Sequence, residues 1–205
     1  MRHPSLKGRN YRSPSGQAYT RLKYIHGSPT PKVSKFNMGD LSTHFARRVH
    51  LVSRENVQIR HNALESARVS ANKVLFDKYG ETGYRLQLCV YPHIILRENK
   101  MIATAGADRL QEGMRRAFGK PTGRAARVHD GQSILIVYVP EDGVDTARKA
   151  LDTASTKFPM RSRITVEEIS VEEQAQVPIQ APVPPEEVEP TEAAEEVTPI
   201  VTVGA

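Results

Sequence analysis

The chain has one cysteine and no tryptophan in 205 residues. A lone Cys89 excludes an internal disulfide framework and points to a reducing compartment. Its place in the apolar alternation YRLQLCV (84–90) reads as core rather than nucleophile. No apolar run approaches the roughly 18 residues of a membrane span. The N-terminus MRHPSLKGRNYR lacks the hydrophobic stretch of a signal peptide. A soluble, intracellular protein with no membrane partner is expected. Two absences of charge say more: residues 1–35 contain no acid, and no Lys or Arg follows Val166.

The overall charge of +6 therefore hides a division. All ten acids after Val166 are glutamates in a cation-free segment, so residues 1–166 carry 29 basic and 13 acidic side chains, a balance of +16. From residue 167 the composition turns to Pro, Glu, Val, Ala and Thr without periodicity, which predicts a disordered acidic tail over 167–205. Residues 1–35 hold eight Arg or Lys, four Pro, three Gly, and Tyr11, Tyr19 and Tyr24 interleaved with the charges. That mixture predicts an extended arm that orders on phosphates.

Between them, residues 36–166 read as one domain. VHLVS (49–53) is strand-like, and HNALESARVSANKVLFDKYG follows as a helix with Leu64, Ala67, Ala71, Val74 and Leu75 on one face. Asn62 and Glu65 have the spacing of a capping box, and Gly80 is placed to end the helix. YRLQLCV alternates as a strand, Ile94–Leu96 forms a second apolar patch, and SILIVYV (133–139) is apolar enough for a sheet centre. A second helix beyond Pro140 places Val144, Ala147, Leu151, Ala154 and Phe158 on one face, and RITVEEI makes a last strand. Two amphipathic helices and about four strands close best as an α+β two-layer sandwich, mostly antiparallel, with both helices on one face.

The central stretch AGADRLQEGMRRAFGKPTGRAAR (105–127) contains GMRRAFGK, which invites a nucleotide-binding reading. A phosphate-binding loop needs GxxxxGK followed by Ser or Thr to hold magnesium. Here Gly113 lies six residues before Gly119, and Pro121 follows Lys120, so no nucleotide partner is expected. Seven histidines (3, 26, 44, 50, 61, 93 and 129) show no HxH or HxxxH spacing, and a single cysteine completes no zinc site, so neither metal nor cofactor is expected. The same stretch does suit a polyanion. From Arg97 to Arg127 there are eight Arg or Lys against three acids, with glycines at 106, 113, 119 and 123 that permit close backbone approach. Ala107, Leu110, Met114 and Ala117 or Phe118 are spaced for a short basic amphipathic helix.

Three stretches, IRHNALESARVSANK (59–73), VYPHIILRENKM (90–101) and AGADRLQEGMRRAFGKPTGRAARV (105–128), closely resemble one family. It is the universal large-subunit ribosomal protein sixteen in its archaeal and eukaryotic form, also called the L-ten-e type. The arm segments NYRSPSGQAYTR and YIHGSPTPK are similar to that family's N-terminus, so the resemblance covers about residues 2–166 and leaves the tail outside. It implies a structural, non-enzymatic protein clamped on large-subunit rRNA beside the A-site tRNA corridor, supporting tRNA positioning and late subunit assembly. The implied partners are rRNA, A-site tRNA with P-site tRNA as a further neighbour, and adjoining ribosomal proteins, at a cytoplasmic location on the ribosome.

The expected rRNA-binding residues are Arg2, Lys7, Arg9, Arg12, Arg21, Lys23, Arg97, Lys100, Arg115, Arg116, Lys120, Arg124 and Arg127. Carried over from the family, Arg97, Asn99 and Lys100 begin a mobile loop of about 101–112, and Gly113 to Lys120 lead back to the body. Met101, Ala103, Thr104, Ala105, Gly106, Ala107, Asp108 and Arg109 then point toward tRNA and the peptidyl transferase centre. Two other classes remain as alternatives: a nucleic-acid-processing enzyme using His93 or His129 as acid–base, and a chromatin-type DNA binder.

The composition generates one test at once. Ending the chain after Ser170 should leave the melting temperature nearly unchanged in thermal denaturation, because the tail has too little large apolar surface to contribute to a core. A large drop would overturn the disordered reading of Val177 to Val203.

Overall fold

The protein, seen in a computed structural model, is described over residues 8–15, 20–99 and 113–169, with the side chains of Arg9 and Arg116 outside that description. Eight strands and two α-helices form among these residues. A five-stranded sheet has the order β1 (Asn37–Gly39), β4 (Arg85–Leu88), β7 (Ser133–Val139), β2 (Arg47–Ser53), β8 (Ser162–Glu168), every pair antiparallel. A three-stranded antiparallel sheet has the order β3 (Val57–Arg60), β6 (Lys120–Val128), β5 (Ile94–Glu98).

Helix α1 (His61–Tyr79) packs against β3 and β6, helix α2 (Val144–Ser155) against β2, β7 and β8, and the helices pack on each other. One apolar layer results, in which Leu64, Ala67, Ala71 and Leu75 of α1 and Ala147, Leu151 and Ala154 of α2 meet Val49, Leu51, Leu135 and Val137. The α+β sandwich with both helices on one face is the observed architecture, and SILIVYV is the middle strand of its sheet.

The expected count of about four strands falls short of the eight observed: the apolar patch at Ile94–Leu96 is strand β5, three-residue β1 has no strand pattern, and β3 and β6 carry weak signals. Strand β3 is only four residues long and runs into α1 with no linker. Strand β6, KPTGRAARV, has only Thr122 and Val128 as β-branched residues among proline, glycine, alanine and cations, and is a strand because partners pair with it on both sides. The direct β3–α1 junction also removes the expected capping box. Arg60 occupies the N-cap position with no side-chain cap bond, and Asn62, already inside the first turn, has a buried Oδ1 with no partner. Glu65 pairs instead with Arg68, one turn on. The end of α1 follows expectation: Gly80 takes φ 68° and its N–H donates to the Phe76 carbonyl at 3.0 Å.

Cys89 departs from expectation in the other direction. In YRLQLCV the inward residues are Tyr84, Leu86, Leu88 and Val90, so Cys89 falls on the outward parity and is exposed. Its neighbours still desolvate the thiol and push its pKa up to about 11, which keeps it protonated and unreactive at neutral pH.

Residues 8–15 and 20–35 run over the three-stranded sheet. Tyr11 is buried with Leu96 and Ala125, its hydroxyl donates to Glu98 Oε2 at 3.0 Å, and the Arg60 guanidinium lies 5.0 Å from its ring centre. Backbone bonds continue the attachment, with Gln58 N–H donating to the Arg12 carbonyl at 2.8 Å and Ile95 N–H to the Thr20 carbonyl at 2.9 Å. At the far end the Lys32 N–H donates to Nδ1 of buried His61 at 3.2 Å. Accepting that bond requires the ring nitrogen to be unprotonated. Burial, then the charges of Lys32, Arg60 and Arg124, hold the His61 pKa below its ordinary 6.5.

Leu64→Ala and Leu151→Ala should each cost about 2–5 kcal/mol in denaturant unfolding, since both side chains are fully buried in the shared layer. Val69→Ala, on an exposed position of α1, should change little. For His61, folded and unfolded chains are both neutral above pH 6.5, and as pH falls below that value the unfolded chain takes up the proton first. Stability should therefore decline from pH 6.5 down to the depressed folded pKa, and His61→Gln should flatten that part of a stability-against-pH curve. His50, also shifted down by burial, adds to the same slope and remains in the variant.

Candidate nucleic-acid interface

The charge excess of the body is sorted by where its few acids lie. Strands β5 and β6 pair antiparallel and flank residues 99–119, so everything in the central stretch stands on this hairpin. Its open end is tightly built. The Arg97 guanidinium lies 3.7 Å from the Phe118 ring centre and its Nη1 donates to the Phe118 carbonyl at 2.6 Å. Gly119 takes φ 75° where a Cβ would come 2.6 Å from the Glu98 carbonyl carbon, so only glycine lets the two strands close here. Arg97 therefore clamps the base of the loop with its flat face and one donor.

Gly113–Arg116 is a single 3-10 turn rather than an amphipathic helix, and Ala107 and Leu110 of that expected helix lie outside the described residues. Lys120 opens a strand, paired with Glu98 in register, so the strand-to-helix turn of a nucleotide-binding loop does not form at GMRRAFGK.

Several expected RNA contacts have structural work within the chain. Arg12 pairs with Glu55. Arg124 donates through Nε to the Pro29 carbonyl at 2.9 Å and through Nη2 to Ser28 Oγ at 3.2 Å, which fixes the arm against β6. Arg127 is half-buried opposite Gln58, and its Nε is buried without an acceptor. Others stand open: Arg21, Lys23, Arg115 and Lys120 are exposed and have no ion pair among the described residues, with Lys23 Nζ resting 4.8 Å from the Tyr24 ring centre. Exposed Leu22, Tyr24, Met114 and Phe118 lie beside these cations in the chain, and that pairing of apolar and cationic groups suits a base and its phosphate. Arg2, Lys7 and Lys100, the side chains of Arg9 and Arg116, and all the loop residues from Met101 to Arg109 lie outside the described residues.

Sequence reasoning passed over Arg48, Arg60 and Arg85. Arg60 was hidden because its role is to cover Tyr11, 49 positions earlier in the chain. Arg48 and Arg85 sit on the outward parity of β2 and β4, a signal present in the alternation of both strands. His93 and His129 are exposed, and neither is paired with a carboxylate among the described residues. No three His, Cys, Asp or Glu side chains come together as a metal site among the described residues.

The family described as Ribosomal protein L16p/L10e matches residues 14–165. The "Large ribosomal subunit protein uL16" of Staphylothermus marinus is 52% identical over 161 residues, covering 78% of this chain and 92% of the relative. The protein of the same name from Sulfolobus acidocaldarius is 47% identical over 175 residues, covering 84% of this chain and 99% of the relative. That from Hyperthermus butylicus is 53% identical over 152 residues, covering 74% and 84%. Neither the family nor these relatives are enzymes. With most of the chain matched, and with both helices and the β5–β6 hairpin inside the matched span, the chain belongs to the L16p/L10e family of ribosomal proteins.

Proposed function

We propose that the protein is a structural component of the large ribosomal subunit, working on cytoplasmic ribosomes by binding large-subunit rRNA and touching neighbouring ribosomal proteins. It uses no cofactor and performs no chemistry of its own. The observation that carries this reading is the set of exposed cations without counter-charge among the described residues, Arg21, Lys23, Arg115 and Lys120, on a chain whose relatives are named as large-subunit proteins. A guanidinium or ammonium left in water gains little from the protein and much from a phosphate that releases condensed counterions.

The loop of residues 101–112 extends the proposal. Both of its flanks leave the β5–β6 hairpin, where the Arg97–Phe118 stack and Gly119 fix their separation. The loop reaches from that base toward the A-site tRNA corridor and the peptidyl transferase centre, where it supports tRNA positioning and a late step of subunit assembly. Its small residues, Ala103, Thr104, Ala105, Gly106 and Ala107, carry little side-chain bulk to bring into a crowded RNA surface.

Cosedimentation with large subunits and whole ribosomes tests the first part, and a protein found only in the soluble fraction would overturn it. Replacing Arg21, Lys23, Arg115 and Lys120 together by Gln should flatten the salt dependence of rRNA binding by about 0.7–0.9 in log–log slope for each phosphate that is no longer neutralised. Arg124→Gln should act differently, by loosening the arm. Deleting Ala103–Leu110 should preserve melting temperature and subunit occupancy while slowing peptide-bond formation or late maturation. If occupancy collapses and the subunits that form translate normally, the loop is an attachment and the proposed reach is wrong.

A further inference from the structure

The helices cover one face of the five-stranded sheet, and its other face carries the outward residues of β4, β7 and β2. Register brings six of these together. Arg85 lies opposite Tyr138, which lies opposite Arg48, and in the next row Gln87 lies opposite Ile136, which lies opposite His50. The patch is thus a ring between two guanidiniums, beside an aliphatic group between an amide and an imidazole. With strands about 4.8 Å apart and same-face neighbours about 7 Å apart along a strand, the six residues span about 10 Å by 7 Å.

Its charges are unequal in their satisfaction. Arg48 Nε donates to Glu167 Oε2 at 2.7 Å, and the same carboxylate lies 3.3 Å from His50 Nε2. Arg85 has no carboxylate partner among the described residues. Its guanidinium carbon sits 5.2 Å from the Tyr138 ring centre, the residue is half-buried, and its Nε is buried with no acceptor. The Tyr138 hydroxyl donates to Gln87 Oε1 at 3.3 Å, which orients the amide. A guanidinium partly removed from water and left without a counter-charge is costly until an anion reaches it. Glu167 is engaged by Arg48, and Arg85 is the guanidinium of this face without a carboxylate among the described residues, so the open cationic demand lies at the Arg85 end.

We infer that this sheet face is a docking site for one unpaired RNA nucleotide, its phosphate on Arg85 and its base stacked across Tyr138 and Ile136, with Gln87 at the base edge. The inference rests on the rRNA-binding function proposed above and assigns to it a surface separate from the arm and the β5–β6 hairpin. Nucleic acid is favoured over an acidic peptide because the face offers an aromatic ring, an aliphatic platform and an amide beside the cation. That combination recognises bases and gives a carboxylate nothing further.

The test uses the full chain and a 4-thiouridine-substituted oligouridylate as probe, crosslinked by light and mapped by peptide mass spectrometry. Crosslinks should fall on β4 and β7. Arg85→Gln should weaken probe binding about tenfold and lower the salt slope by about one. Arg85→Lys should restore the slope but only part of the affinity, because a point charge lacks the planar fork. Thermal melting checks that Arg85→Gln is folded; if it is not, the wild-type crosslink map and Arg85→Lys decide alone. Crosslinks confined to residues 8–35 and 113–127, with Arg85→Lys binding like wild type, would overturn the inference. So would Arg85-dependent binding of a glutamate-rich peptide in place of the oligonucleotide. If the face fails while large-subunit rRNA binding persists, only this inference falls; if rRNA binding itself is absent, the function proposed above falls with it.

Discussion

Everything in the protein depends on one apolar layer holding together a body with sixteen surplus positive charges. Self-repulsion of that size opposes compaction, and the few acids are too scattered to cancel it. Leu64, Leu75 and Leu151 meet Val49, Leu51, Leu135 and Val137 with no exposed surface, so the helices bind both sheets through one interior. Because β3 passes into α1 without a linker, that helix fixes the three-stranded sheet relative to the five-stranded one. The loop-bearing hairpin inherits its position from this junction.

Acids act in this background as selectors. Glu55 holds Arg12, Glu98 accepts from Tyr11, and Glu167 and Glu168 at the end of β8 hold Arg48 and Arg47 across the β2–β8 pair. Each cation so engaged stabilises the fold modestly and is less available to a partner. Those left over define where an anion is wanted. The residue charges alone would rank Arg12 and Arg115 alike; the structure separates them by whether a carboxylate is within reach.

This sorting explains what was legible in the sequence. Both helices, the central place of SILIVYV and the outward parity of alternating residues follow from local periodicity, which survives folding because one face of each element is buried. Strand β6 escaped because its buried positions are Gly123, Ala125, Ala126 and Val128, three of them too small to give a strand signal. The capping box failed because the helix begins at His61, which gives the N-cap position to Arg60 at the end of β3 and leaves Asn62 inside the first turn. In the interface, composition located the cationic regions. It did not say which cations are engaged, since the deciding partners are remote in the chain: Arg12 and Glu55 are 43 residues apart, Tyr11 and Glu98 87, Arg48 and Glu167 119.

The attachment of the arm carries the last step. A basic segment could be fixed to its own domain by ion pairs, but each would neutralise a charge wanted for phosphate. Here the main contacts are uncharged or backbone-mediated: the buried Tyr11 ring, the Gln58 amide donating to the Tyr11 carbonyl at 3.0 Å, the Thr20 carbonyl accepting from Ile95, and neutral His61 accepting from Lys32 N–H. Apart from the Arg12–Glu55 pair, the side chains that hold the arm leave its cations facing outward, as at Arg21 and Lys23. Neutrality of His61 belongs to the same logic. A charged imidazole there would stand among Lys32, Arg60 and Arg124, and the arm would be repelled from the sheet that presents it.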